Sequence, residues 1–163
     1  MAGKATAQDI VDEGFREELF GAPAGFFDTW LPRLLLDAEL WARLQIGDAA
    51  YDSAVVNAGT TPLRAAWSKL VQAEVYLTVA RLWERRVVTV EGNAVQGLED
   101  PGANRAAYLE HAAAYTTKAW AALREAGDHL GVAVPDAYEG SAIAVGHVET
   151  GRFPAASSTA VTA

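Results

Sequence analysis

Thr61-Pro62-Leu63-Arg64-Ala65-Ala66-Trp67-Ser68-Lys69-Leu70, continuing as VQAEVYLTVARLWERR to Arg86, is the stretch whose reading decides the fold. Thr61 has the side chain of a helix cap, and Pro62 fits the first helical position, where a missing N–H removes no hydrogen bond. Leu63, Ala66, Trp67, Leu70, Val71, Glu74, Leu77, Thr78, Arg81 and Leu82 then recur at three- and four-residue steps. Ala73, Tyr76 and Ala80 widen that apolar face. A helix ending near Arg86 would be roughly 37 Å long at 1.5 Å per residue. Arg81, Arg85 and Arg86 would then occupy its last turns, where the helix dipole favours cations.

Outward from this helix, the same signals recur. Thr6 caps a helix predicted over 7–20, with Asp9, Asp12 and Glu13 in or near its first turns and Gly14 weakening its stripe of Ile10, Phe15 and Leu19. Gly21-Ala22-Pro23-Ala24-Gly25 punctuates the chain. A second long helix is expected from Asp28 to Gln45 or Ile46, with Pro32 in its first turn and Gly47 beyond its end. Its buried stripe reads Trp30, Leu31, Leu34, Leu35, Ala38, Trp41 and either Leu44 or Ala42. Asp37, Glu39 and Arg43 lie away from it. A short helix over 49–56 fits before Asn57-Ala58-Gly59.

Val87-Val88-Thr89-Val90 is rich in β-branched residues and Glu91-Gly92-Asn93 is a turn signal, so a short strand or hairpin over 87–95 competes with a frayed helix end. Asp100-Pro101 repeats the cap-and-proline start, and a last helix runs to about Ala126 with Gly127 as its stop. The expected fold class is all-α, a small bundle of about four helices over 1–130. Residues 131–163 form an extended arm, with four glycines, two prolines and four charged residues. The arm carries Ile143, Val145, His147, Val148 and Phe153, apolar positions apart from the histidine, suited to ordering against a partner. An ordinary frayed terminus is the competing description.

The chain has 163 residues and a net charge of −8, and 34 of its residues, about a fifth, are alanine. It has no cysteine, which excludes disulfides, thiolate catalysis and cysteine-ligated zinc. No run approaches the roughly 20 apolar residues of a membrane span, and no membrane partner is expected. Met1-Ala2-Gly3-Lys4 leads into polar sequence, unlike a signal peptide. Clustered Lys and Arg, which phosphate neutralisation requires, are confined to Arg81, Arg85 and Arg86 around Glu84.

Catalytic constellations are not evident. Glu110 and His111 point about 100° apart on a helix and cannot chelate one ion. Glu125 and His129 share a face but read as a solvated pair. No Gly-x-Ser-x-Gly elbow and no phosphate loop occurs. Glu74, on the apolar side of its helix, is the one buried-carboxylate candidate. A catalytic role would place it in a cleft with a raised pKa, and pairing with Arg81 or an intersubunit arginine is the structural alternative. No metal, cofactor or catalytic residue is expected. Trp83, beside the arginines, fits an interface role with Arg85 and Arg86.

The whole layout resembles a known family. A short N-terminal helix precedes Leu34-Leu35-Leu36-Asp37-Ala38, and that segment ends in Leu44-Gln45-Ile46-Gly47. Thr61-Pro62 then opens the helix containing Val75-Tyr76-Leu77-Thr78-Val79-Ala80-Arg81-Leu82-Trp83-Glu84-Arg85-Arg86. A helix with Ala107-Tyr108-Leu109-Glu110 and an extended tail follow. This resembles the head–tail adaptor (connector, or head-completion) proteins of tailed bacteriophages and related gene transfer agents. The resemblance implies a structural, non-enzymatic virion protein at the head–tail interface. Its partners would be copies of itself in a ring, usually dodecameric, the portal protein, and a tail or neck protein below. Double-stranded DNA would pass through without sequence-specific binding. Alanines such as Ala112, Ala113, Ala114, Ala121 and Ala122 would let subunits pack side by side, and an acidic wall would not hold DNA. The alternatives are a cellular helical interaction module whose C-terminal tail docks on a partner, and an enzyme with a site assembled between subunits.

Overall fold

The computed structural model describes residues 4–22, 24–57, 59, 61–95 and 101–136. Its helices are α1 (Ala7–Asp12), α2 (Phe26–Ile46), α3 (Asp48–Ser53), α4 (Pro62–Val95) and α5 (Pro101–Leu130), with one 3₁₀ turn (Glu17–Phe20) after α1. The all-α expectation holds, and the described residues contain no strand.

α4 is the central element. At 34 residues it is about 51 Å long, and from Ala73 to Leu82 nearly every side is buried. Val75 and Val79, outside the predicted stripe, are fully enclosed because α4 is packed on several sides at once. α5 runs antiparallel along it. Lys69 reaches Glu125 at 2.5 Å, the Tyr76 and Tyr115 rings lie 6.0 Å apart, and Trp83 stacks on Tyr108 at 5.2 Å. α2 crosses the hairpin so that Ala38, Leu77 and Ala119 meet where the three helices converge. Alanine at two of these three positions lets the backbones approach closely.

Several boundaries differ from the sequence reading, each for a local reason. Thr6 does cap α1, in a reciprocal box with Asp9, but the helix stops at Asp12. Gly14 adopts φ +91°, a left-handed conformation that ends the helix, and the chain restarts as the 3₁₀ turn. The Glu17 carboxylate then accepts the Phe27 N–H at 3.0 Å, so α2 begins two residues before Asp28 with Gly25 as its cap. Pro32 consequently sits one turn deeper than predicted.

No hairpin forms after Arg86. Residues 87–95 continue α4, so Arg81, Arg85 and Arg86 are not at the negative end of its dipole. Val87 is buried, and the Thr89 hydroxyl donates to the Arg85 carbonyl at 3.0 Å, four residues back. Packing outweighs the weak helix propensity of β-branched residues.

Gly127 does not stop α5. A Cβ there would lie 2.6 Å from Val134 Cγ2 and 2.7 Å from the Val132 carbonyl oxygen, so glycine makes room for the returning chain. The stop is Gly131 at φ +70°. The Val132 N–H donates to the Gly127 carbonyl at 2.9 Å and the Gly131 N–H to the Asp128 carbonyl at 3.3 Å, a Schellman ending. Val132 and Val134 therefore pack onto the core beside Ala126.

Candidate functional site

Two buried ionisable groups on α4 organise the interior. Glu74 is fully enclosed. One carboxylate oxygen accepts a short hydrogen bond from the Tyr51 hydroxyl, and the other accepts the Ala5 N–H at 2.8 Å. Tyr51, on α3, in turn accepts the Lys4 N–H at 3.0 Å. Burial raises the Glu74 pKa above the usual carboxylate range, and the two hydrogen bonds only partly oppose it. Burial, reinforced by the neighbouring Glu74, likewise pushes the Tyr51 hydroxyl up. The Lys4 ammonium donates to the Ala54 carbonyl at 2.9 Å and lies over the Trp67 ring at 4.2 Å. Its pKa is lowered by desolvation, against the attraction of Glu74.

Glu74 thus does not pair with Arg81, the partner that the sequence suggested within this chain. Arg81 instead bonds Glu84 at 2.7 Å. With no exposed surface, the carboxyl group is out of reach of a substrate, and its role here is to tie the N-terminal segment to α3 and α4. Sequence spacing could not reveal this, because Tyr51 and Ala5 lie 23 and 69 residues away.

The network extends to α2. Glu39, predicted on the solvent side, is buried, because α3 folds back over it. It accepts from Arg43 at 2.8 Å. Arg43 also reaches Asp48 at 3.2 Å and Asp52 at 2.9 Å, with its guanidinium 4.2 Å over the Tyr51 ring. These three carboxylates raise the Arg43 pKa further.

Arg86 anchors the other end. It is buried and donates to the carbonyls of Phe20 at 3.0 Å and Gly21 at 2.7 Å, closing the 3₁₀ turn onto α4. Trp83 is buried too, 4.4 Å from the Phe20 ring and stacked on Tyr108. Both residues belong to the core of this chain, which corrects their assignment to a partner-binding surface.

Arg85 is different. Half-buried, it lies over the Trp30 ring at 4.5 Å. It lines a groove of about 520 Å³ between α2 and α4, floored by Leu34, Trp41 and Leu77 and rimmed by Asp37, Arg81 and Glu84. Cations beside indole rings over an aliphatic floor can receive an acidic or aromatic side chain from another protein.

Among the described residues, no group of three or more His, Asp or Glu side chains is placed to hold a metal ion, and no helix is long and apolar enough to cross a membrane. Glu125 pairs with Lys69 rather than with His129, and His111 lies against the Trp83 ring. Ile143, Val145, His147, Val148 and Phe153 lie outside the described residues.

The outer surface has its own pattern. Leu36, Leu40 and Leu44 are 49%, 55% and 80% exposed along one side of α2. The alternatives at the end of the predicted stripe resolve in favour of Ala42, which is buried. On α5, Ala112 and Ala122 face the core, while Ala113, Ala114 and Ala121 face outward. Comparison of the chain with protein-family models, with curated proteins and with solved structures finds no match.

Proposed function

We propose that this chain is a structural adaptor of the phage neck, an oligomeric ring subunit that joins the portal to the tail and continues the DNA channel. The observation that carries the reading is the division of roles between interior and surface. Buried polar groups tie the bundle together, while alanines on α5 face outward. Exposed small residues along a 30-residue helix suit side-by-side packing of identical subunits. The net charge of −8, repeated around a ring, suits a wall that DNA slides past. In this reading the Arg85 groove and the sequence after Asp136 are what the portal and the next neck protein bind.

The test is co-sedimentation with the portal protein encoded by the same genome. The full chain binds, and a chain lacking 137–163 stays folded but no longer docks. The truncation leaves Val132 and Val134 in place, so loss of docking is not loss of the core. Undiminished docking would sink the assignment of the arm, and no docking by the full chain would sink the adaptor reading.

A further inference from the structure

We propose that the outer face of α2 is a self-association surface, on which a second copy of this chain packs its own α2 antiparallel about a two-fold axis at Leu40. Leu36, Leu40 and Leu44 stand at four-residue intervals and form one exposed row about 12 Å long. Rows of this spacing are the ridges by which helices interdigitate. Three adjacent leucines, each with about half or more of its surface in water, form an apolar patch of the kind that marks a protein contact.

The charges around the row identify the occupant. Arg33, one turn before Leu36, is exposed and makes no ion pair within the described residues. At the opposite end the balance is reversed. Arg43 is shared among Glu39, Asp48 and Asp52, and the Asp48 side chain is 80% exposed. An unpaired cation thus stands before the row and a surplus of acid after it. A parallel copy would set like against like. An antiparallel copy centred on Leu40 brings Arg33 level with Gly47 and Asp48 of its neighbour, twice by symmetry, and sets Leu36 against Leu44. The shallow groove beside the row, about 460 Å³ and lined by Leu36, Leu40, Arg43 and the carboxylates, gives the incoming leucine a seat.

This contact is independent of the neck-ring reading. A two-fold contact closes at two copies, whereas a ring of one subunit type needs two different faces in contact. The pairing therefore stands or falls without a portal.

Sedimentation velocity of the full chain from about 1 to 100 µM tests it. The expected result is a concentration-dependent species of twice the 17.3 kDa chain mass. Leu40→Asp weakens association about tenfold or more with the helical circular dichroism unchanged, since Leu40 is half exposed in the single chain. Arg33→Asp also weakens it, and adding Asp48→Arg to that variant restores it, which only the antiparallel register allows. Because the chain has no cysteine, Leu40→Cys alone forms a covalent dimer on oxidation, while Glu18→Cys, exposed on the 3₁₀ turn, does not. A monomer at every concentration would overturn the proposal. So would an assembly indifferent to Leu40→Asp, a charge swap that fails to recover, or equal cross-linking at both cysteines.

Discussion

The interior of α4 and the exterior of α2 reverse the usual partition of side chains. Glu74 and Arg86 are enclosed, whereas Leu36, Leu40 and Leu44 face water. Each interior group reaches the N-terminal segment, Glu74 through the Ala5 N–H and Arg86 through the carbonyls of Phe20 and Gly21. Buried hydrogen-bonding groups here fix the path of a segment with little regular structure of its own. The exposed leucines do nothing comparable for the single chain. The difference separates residues that make the fold from residues left for contact with other molecules.

The two interior ties differ in kind. An arginine keeps its charge inside a protein and needs acceptors, whereas a carboxyl group can be neutralised by a proton. Arg86→Ala should therefore be the most damaging single change. It leaves two carbonyls without their charged donor and is expected to cost about 4 kcal/mol in urea unfolding. Arg86→Lys should recover only part of this, because an ammonium lacks the planar fork.

Glu74→Ala should cost about 2–3 kcal/mol, since the Tyr51 hydroxyl and the Ala5 N–H lose their acceptor. Glu74→Gln sharpens the comparison through pH. Burial raises the folded-state pKa of Glu74, so the fold binds this proton more tightly than the unfolded chain does. Its contribution to stability is fully present below the unfolded carboxylate value and is lost as pH rises through the raised folded one. Urea unfolding at a series of pH values should show the glutamine variant gaining on the wild type over that interval. A constant difference would contradict an enclosed, proton-linked Glu74.

Gly127→Val should cost about 2 kcal/mol by driving Val132 and Val134 off α5, visible as faster amide exchange over 132–136. Leu40→Asp, measured on dilute monomer, should change stability by less than about 0.5 kcal/mol. A large effect there would place Leu40 among the fold-making residues and break the comparison.

Much of the fold was legible where the determinants are local. Thr6 and the Thr61-Pro62 start act through their own backbone neighbours, and the periodicity of 61–86 needs only a helix to express it. The rest depends on partners distant in sequence. Val87-Val88-Thr89-Val90 carries a strand propensity that packing in the bundle overrides. Gly127 resembles a stop until Val134 is known to return across it. Glu39 reads as a surface residue until α3 covers it. Among the expected site residues, Glu74 was recognisable as a buried acid from its place in an apolar stripe, but Tyr51 and Ala5 were not recognisable as its donors. Trp83 and Arg86 read as an interface because tryptophan and arginine are also interface residues, and no local signal distinguished that from a core clamp closing on Phe20.

The adaptor reading is tested most directly by electron microscopy of purified portal rings incubated with the full chain. The account predicts an added ring of helical density, coaxial with the portal and open at its centre. Portal rings that remain bare while the chain stays in solution would contradict it.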